Sequence, residues 1–235
     1  MKMKPYLYET HLHTSPVSRC GRGDVEENLL YYKEQGYDGV FITNHFIDGN
    51  MHREPDMTYE EMLDFYFSDY HKAVEFGKKI GIKVFLGIES STHGPDFTIY
   101  GLPESFFYEH PEFLELSAKG KIQLCREHGA VVIQAHPFRE AGYIDHISLF
   151  PRDVDGVEVI NAGNKGVADK MAEYYSKEYG LRPFAGTDNH MAGYNPRYAG
   201  IMTDVPIESV EHFMELFRRG DYEIFEREGY IPENE

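Results

Sequence analysis

The stretch ETHLHTS at residues 9–15 places two histidines, His11 and His13, one residue apart at the end of a short apolar segment. In a β-strand, residues i and i+2 point to the same face, so both imidazoles share one side of this predicted strand. Imidazole is polar and costly to bury without a partner. The pair is explained either as surface or hydrogen-bonded histidines or as two metal ligands, and the rest of the chain decides between these readings.

Apolar segments of strand length recur along the chain, with helical segments between most of them. The predicted strands are 7–11, 39–45, 83–89, 97–102, 130–136, 156–161 and 182–188, and the predicted helices are 24–36, 58–80, 111–128, 165–180 and 206–220. Thr58 is a predicted N-cap with Glu61 completing a capping box. This alternation is typical of an α/β fold with a parallel sheet covered by helices. About seven such units favour a closed barrel over a doubly wound sheet, and no G-x-G-x-x-G follows the first strand.

Composition narrows the class of protein. The 235 residues are 41% hydrophobic and fit one domain over residues 1–235, with residues 221–235 as a peripheral tail. The net charge of −17 disfavours a nucleic-acid partner. Cys20 and Cys125 match no CxxC spacing, and no segment has the roughly 18 apolar residues of a membrane span. We therefore expect a cytoplasmic protein with reduced thiols and no membrane partner, and the sequence does not indicate its oligomeric state.

Metal-ligating residue types stand at the ends of the predicted strands. They are His11, His13, His45, Glu89, His136 and Asp188, with His190 just beyond the last strand. In a barrel of parallel strands the carboxyl ends meet on one face, which carries the active site. Imidazole and carboxylate ligands together suit Zn, Mn or Fe, and this set exceeds what one tetrahedral ion uses. The pattern indicates two or three divalent ions bridged by Glu89 and Asp188, and hence metal-assisted hydrolysis of a phosphate ester or, with a similar site, an amide or lactone.

Five segments, THLHTS, ITNH, GIE, QAHPF and GTDNH, resemble in order the motifs of the polymerase and histidinol phosphatase (PHP) superfamily. The resemblance runs from about residue 8 to about residue 200. It implies a distorted (β/α)7 TIM-like barrel with a metal site at the C-terminal ends of the strands. It also implies hydrolysis of phosphate esters by a metal-bound hydroxide in a di- or trinuclear site.

The resemblance also implies a role for each matching residue. His11, His13 and Asp188 match first-metal ligands, Glu89 matches the carboxylate between the first and second metals, His136 matches a second-metal ligand, and His45 with His190 matches the third-metal pair. Catalytic roles are predicted for His136, His190 and Asp188, with one of the two histidines protonating the leaving oxygen. A histidine cannot be a ligand and a proton donor at the same time.

Three positions depart from the family pattern. Asn44 stands where an acid usually orients the following histidine, so His45 is expected to be less firmly oriented. Cys20 stands where an aspartate is usual, and it is either a thiolate ligand or a plain buried thiol. The remaining ligand of the second metal is Asp96, His93 or, less favoured, His110.

The candidate substrate-binding residues are Arg139, Arg197, His52, Arg53 and Asn161. A guanidinium group binds phosphate oxygens in a bidentate manner, and the alternative for each arginine is a surface salt bridge. His52 and Arg53 lie in the polar loop after the second strand, on the predicted active-site face. Glu158 and Asn161 end the sixth strand, where they either contact substrate or serve packing and capping.

The function predicted from these features is hydrolysis of a small phosphate monoester resembling histidinol phosphate or a sugar phosphate. Two alternatives stay open. One is a nucleotide phosphatase or exonuclease-type phosphodiesterase, and dependence on oligonucleotide length would separate it from a monoesterase. The other is a non-catalytic metal-binding PHP module, which lost ligands would indicate.

Overall fold

The computed structural model of the chain describes residues 4–92, 94–142, 144–195 and 197–228. The strands are β1 (Tyr6–Leu12), β2 (Gly39–Ile42), β3 (Lys83–Ser91), β4 (Asp96–Tyr100), β5 (Val131–Gln134), β6 (Gly156–Asn161), β7 (Arg182–Gly186), β8 (Arg197–Thr203) and β9 (Glu223–Glu228). The helices are α1 (Val25–Glu34), α2 (Tyr59–Ile80), α3 (Glu104–Glu109), α4 (Ala118–Glu127), α5 (Ala168–Tyr179) and α6 (Val210–Arg219). A 3-10 helix spans Pro111–Glu115.

The strands form one sheet in the order β7-β6-β5-β4-β3-β2-β1-β8-β9. Strands β1, β2 and β3 run parallel to one another, as do β5, β6 and β7, whereas β4 is antiparallel to both of its neighbours. The sheet curls so that the end of β1 meets the segment after β7, where the His13 amide donates to the Asn189 carbonyl at 3.0 Å. The result is the expected distorted TIM-like barrel, nearly closed.

All seven predicted strands are present, but the expectation of a parallel sheet is wrong at two places. Only residues 92–95 separate β3 from β4, too few for a crossover helix, so the chain returns antiparallel. Strand β8 pairs antiparallel with β1, and β9, within the expected tail, pairs with β8 at the edge of the sheet. Gly200 interrupts the side-chain pattern of β8, and its φ of +157° lets the strand approach Tyr8, whose carbonyl oxygen would lie 2.1 Å from a Cβ.

Helix α2 begins and ends as the sequence predicts. Thr58 and Glu61 form the capping box, and Gly81 adopts the left-handed conformation after the last turn, with a φ of +73°. The predicted helix 111–128 is broken instead, because Ser117 caps a new helix, α4, after the 3-10 turn. The described helices include none long and apolar enough to cross a membrane.

An aromatic cluster closes the barrel at the end opposite the carboxyl ends of the parallel strands. Phe41 of β2 packs against Phe85 of β3 at a ring separation of 4.8 Å and against Phe213 of α6 at 4.7 Å. Tyr100 and Phe184 complete the cluster. Each buried aromatic ring contributes a large apolar area to the core. Because these rings supply the core at one end of the barrel, the other end can carry polar side chains.

Candidate metal centre

The polar end of the barrel collects the ligand-type residues at the edge where the parallel strands finish. They are His11 and His13 in and after β1, His45 after β2, Glu89 in β3, Asp96 at the start of β4, His136 after β5, and Asp188 and His190 after β7. Because β4 is antiparallel, its first residue, Asp96, lies at the same edge as the last residues of its neighbours. The meeting of these strand ends at one edge of the sheet therefore explains why all these residues lie together.

Four groups of these residues have donor atoms within 4.8 Å of one another. They are His11–His13–Glu89, His11–His136–Asp188, Glu89–Asp96–His136 and His13–His45–His190. The groups share members, so the donors form one continuous cluster rather than separate sites. This overlap is the arrangement expected where carboxylates bridge more than one ion.

Glu89 lies at the centre of the cluster and is fully buried. Its Oε1 lies 3.2 Å from Nε2 of both His11 and His136. Its Oε2 lies 3.3 Å from Nε2 of His13 and 2.6 Å from Nδ1 of His45. One carboxylate thus contacts four imidazoles, and its role as a bridge between ions stays a prediction.

Asp188 forms the other side of the cluster. Its Oδ1 lies 3.1 Å from Nε2 of His13, and its Oδ2 accepts from Arg139 Nη2 at 2.6 Å. Burial alone would raise the pKa of Asp188, but Arg139 and His11 outweigh it and hold the pKa well below its usual range. Asp188 and His136 have positive φ angles of 52° and 25°, which are unfavourable for non-glycine residues and are typical of functional sites.

The contacts around His45 test whether these residues suit a cation. His45 Nδ1 and Glu89 Oε2 lie 2.6 Å apart, yet their alignment makes no hydrogen bond, and neither atom has another hydrogen-bond partner among the described residues. The rings of His45 and His190 stack on His13 at 4.3 and 4.5 Å. A buried contact between two polar atoms that make no hydrogen bond is costly, and a divalent ion would satisfy both atoms. The nitrogen and oxygen donor set fits Zn, Mn or Fe.

The pKa values of Glu89 and His13, unlike those of His11 and His45, are shifted toward the forms that bind metal ions. Burial would raise the pKa of Glu89, but His45 and His11 outweigh it and hold the pKa well below the usual value. Burial, together with neighbouring His45 and His190, lowers the pKa of His13 well below its usual value. A carboxylate and a neutral imidazole are the forms that bind metal ions.

Glu158 and Ser18 orient His11 and His13 from the side of each ring that faces away from the cluster. Glu158 is buried, and its Oε1 lies 3.0 Å from His11 Nδ1, while its Oε2 accepts from the His136 amide at 3.0 Å. Ser18 Oγ lies 3.2 Å from His13 Nδ1. These contacts engage Nδ1 of each ring, so Nε2 of each ring faces the cluster. Hydrogen bonds to the ring nitrogen that does not face the ion fix the orientation of a histidine ligand in this way. Sequence reasoning missed Ser18, which lies in an irregular loop without a recognisable motif.

The Asn44 side chain forms its hydrogen bonds with the loop after β1 rather than with the ring of His45. Its Oδ1 accepts from the Thr14 amide at 2.7 Å and from Ser18 Oγ at 2.8 Å, and its Nδ2 donates to Thr14 Oγ1 at 2.8 Å. Thr14 Oγ1 in turn donates to Asp69 at 2.8 Å. The amide therefore anchors the turn after β1, and through Ser18 it positions His13.

Cys20 lies beside the pair expected at the third metal. Burial would raise the pKa of its thiol, but the neighbouring His190 and His45 outweigh burial and lower the pKa to about 6. Cys125 is fully buried elsewhere, in the core, and burial raises its pKa to about 12. Cys20 is half-buried, and its role as a thiolate ligand stays a prediction.

The predicted substrate-binding residues divide into two groups. Asn161 and Arg139 adjoin the cluster: Asn161 is fully buried, donates to Glu158 at 2.8 Å and accepts from Arg139 at 2.8 Å. Arg197 is held by ion pairs with Asp169 at 2.7 Å and Glu226 at 2.5 Å. Arg197 thus makes the salt bridges that were the alternative to phosphate binding, and contact of Asn161 or Arg139 with substrate stays a prediction.

The remaining candidates lie apart from the cluster or outside the described residues. His52 pairs with Glu54 at 3.0 Å, and Arg53 lines a separate cavity beside Lys121. The structure does not bring either residue into contact with the cluster. His110 pairs with Glu112 at 2.8 Å, away from the cluster, and His93 lies outside the described residues. Asp96 is thus the described candidate that joins Glu89 and His136.

No family model and no curated protein matches the sequence. Solved structures do match. One is a two-domain protein from Bacteroides vulgatus containing a predicted PHP-like metal-dependent phosphoesterase, with a TM-score of 0.66 and 15% identity over 94% of this chain and 65% of that chain. Another is a putative metal-dependent phosphoesterase from Bifidobacterium adolescentis, with a TM-score of 0.54 and 14% identity over 82% of this chain and 91% of that chain.

A third match is an amidohydrolase from Chromobacterium violaceum, solved with bound sulfate and no metal, with a TM-score of 0.55 and 13% identity over 93% of this chain and 97% of that chain. At such low identity a structural likeness establishes the fold. The chain therefore shares the fold of these solved structures.

Proposed function

We propose that this protein is a metal-dependent hydrolase of a small phosphate monoester. The observation that carries the proposal is the continuous cluster at the barrel end, in which Glu89 contacts four histidines and leaves Oε2 without a hydrogen bond. A structural role alone would not call for such a concentration of buried imidazoles and carboxylates, because each of them costs free energy to desolvate. The likeness to metal-dependent phosphoesterases supports the choice of reaction.

The residues that would hold the ions are those of the four groups together with Cys20. They are His11, His13, Asp188 and Glu89 for the first ion, Glu89, His136 and Asp96 for the second, and His45, His190 and, from its position, Cys20 for a third. When bound, divalent ions polarise a phosphoryl group and lower the pKa of water at the site.

Side chains around the cluster keep these donors in place. Arg139 compensates the charge of Asp188 and lies in the same cavity, where it could also contact phosphate oxygens. Glu158 and Ser18 fix the tautomers of His11 and His13 so that Nε2 of each ring faces inward. The donors are thereby preorganised, so little reorientation is needed when ligands bind.

The leaving oxygen needs a proton, and His190 is the best-placed donor. Its side chain is 30% exposed, more than that of His45, and its Nδ1 donates to the Asp188 carbonyl at 2.8 Å. Its Nε2 is therefore the atom that would transfer the proton. This role is open to His190 only when it does not serve as a ligand, so it fits a centre of two ions.

The test is phosphate release from a panel of histidinol phosphate, sugar phosphates, nucleotides and short oligonucleotides, with Mn²⁺, Zn²⁺ or Fe²⁺ added and with chelator. We expect release from small monoesters that chelator abolishes and that Glu89→Gln lowers at least about 100-fold. Glu215→Gln, on the exposed face of α6, is the matched control and should keep full activity.

Other results would redirect the proposal. Release that depends on oligonucleotide length would favour a phosphodiesterase. Hydrolysis of amides but not of phosphate esters would favour the activity named for the Chromobacterium violaceum relative. Metal binding without hydrolysis of any compound in the panel would overturn the enzymatic proposal.

A further inference from the structure

A cavity of about 780 Å³ opens onto the cluster, and Cys20, Asp188 and His190 form part of its wall. This volume is in the range of cavities that bind small metabolites and is far larger than a phosphate group alone requires. The space beyond the phosphate must therefore receive the rest of the substrate. The side chains that line it indicate the chemistry of that part.

Basic side chains outnumber acidic ones in the wall of this cavity. Its described lining residues include four lysines or arginines, Arg22, Arg139, Lys165 and Arg197, against a single carboxylate, Asp188. The whole chain carries a net charge of −17, so the local balance has the opposite sign to the overall charge. Such a local excess of positive charge attracts anions.

Two of the four cations are already neutralised within the protein. Arg139 is paired with Asp188 at 2.6 Å. Arg197 is paired with Asp169 and Glu226 at 2.7 and 2.5 Å. Both arginines therefore serve mainly to fix the wall, and their charge is compensated before any ligand arrives.

Arg22 and Lys165 have no such compensation. Their side chains are exposed and form no hydrogen bond or ion pair with any residue in the described parts of the chain. The Arg22 amide donates to the His190 carbonyl at 2.7 Å, which fixes the base of this side chain beside the cluster. Lys165 lies in the loop between β6 and α5 and lines the same cavity.

We propose that Arg22 and Lys165 select substrates whose leaving group carries a second anionic group, a carboxylate or a second phosphate. The inference rests on the proposed function, since it concerns the part of a phosphate ester that leaves. The phosphate being cleaved lies at the cluster, and the second anion lies between the two free cations. An ammonium-bearing leaving group such as histidinol is disfavoured, because both cations repel it.

The test uses small phosphates that differ in the charge of the leaving group. The series is O-phosphoethanolamine, glycerol 3-phosphate, 3-phosphoglycerate and propane-1,3-diol bisphosphate, which carry an ammonium, a neutral, a carboxylate and a phosphate group. We expect kcat/KM for 3-phosphoglycerate to exceed that for glycerol 3-phosphate by about 10-fold, and each of Arg22→Ala and Lys165→Ala to reduce this ratio about 3-fold. The preference should weaken as ionic strength rises.

Lys170→Ala is the matched control, because it removes the same charge five residues along the chain from a side chain that does not line this cavity. This variant should leave the ratio unchanged. Comparison of 3-phosphoglycerate with the bisphosphate shows which anion the two cations prefer. Equal kcat/KM across the series, or a preference that survives removal of both cations, overturns the inference while leaving phosphatase activity intact.

Binding of the same compounds to chelated protein, measured by calorimetry, decides the matter if no ester is hydrolysed. The expected result is tighter binding of 3-phosphoglycerate than of glycerol 3-phosphate, lost in the Arg22→Ala/Lys165→Ala double variant. A carboxylate compound that binds no better than its neutral analogue refutes the inference. Failure of the proposed function alone would show as this binding preference without hydrolysis.

Discussion

Replacing Glu158 by glutamine perturbs the metal centre without changing a predicted ligand or the size of a side chain. The carboxylate accepts from the His136 amide at 3.0 Å and from Asn161 Nδ2 at 2.8 Å, both through Oε2. Its Oε1 lies 3.0 Å from His11 Nδ1. Glutamine offers one acceptor oxygen and one donating NH₂ group. In either orientation of the glutamine side chain, its NH₂ group therefore faces another hydrogen-bond donor.

The expected cost follows from that mismatch. An unmade hydrogen bond at a buried donor costs about 1–3 kcal/mol. If the amide oxygen keeps the bonds to His136 and Asn161, the loss falls on His11, whose ring is no longer fixed with Nε2 toward Glu89. Loss of such a contact behind a ligand weakens metal binding about 10- to 100-fold, or about 1.4–2.8 kcal/mol.

The assay is a calorimetric titration with Mn²⁺ or Zn²⁺ of protein from which chelator has removed bound metal. It is carried out on wild type, Glu158→Gln and Glu173→Gln. Glu173 undergoes the same chemical change on the exposed face of α5, where it pairs with Lys177, and should bind metal as wild type does. Circular dichroism and the unfolding transition establish that both variants are folded. A folded Glu158→Gln protein whose metal affinity stays within about 2-fold of wild type would refute the orienting role.

Other parts of the structure give further predictions. The pKa is about 6 for Cys20 and about 12 for buried Cys125, so iodoacetamide at pH 7.5 should alkylate Cys20 first. If the Cys20 thiolate is a metal ligand, added Zn²⁺ should slow its alkylation. Peptide mass spectrometry measures the order of alkylation, and alkylation of Cys125 first would contradict the prediction. Lys121→Met leaves the buried Asp48 carboxylate without its cation and should lower the free energy of unfolding by about 3–5 kcal/mol in urea titrations, with partial recovery on adding Asp48→Asn. Lys78→Ala, which breaks an exposed ion pair, should change it by less than about 1 kcal/mol, and equal effects of the two lysine substitutions would contradict this assignment.

Much of the cluster could be predicted from sequence because strand geometry fixes it. His11 and His13 share a face by the two-residue period of a strand, and the carboxyl ends of parallel strands meet at one edge. The antiparallel direction of β4 could also be predicted, since residues 92–95 are too few to form a crossover connection. That reasoning alone would have placed Asp96 at the cluster.

The roles of the basic residues could not be predicted in the same way. Arg197 pairs with Asp169 and Glu226, 28 and 29 residues away in sequence, so its neutralisation depends on how α5 and β9 pack. Strand β9 itself, EIFERE, is rich in charge and largely exposed, and it carries little of the apolar signal by which strands are recognised. Consequently the two cations left free, Arg22 and Lys165, emerge only once the pairing of the others is known.

The most direct test of the central claim is to titrate chelated protein with Mn²⁺ while measuring bound metal per chain and phosphate release from the best monoester on the same samples. We predict that activity rises with bound metal and reaches a plateau at two or three ions per chain. Glu89→Gln should bind fewer ions and release little phosphate. Full metal occupancy without phosphate release from any ester, or activity that is independent of bound metal, would contradict the claim that this cluster is a hydrolytic metal centre.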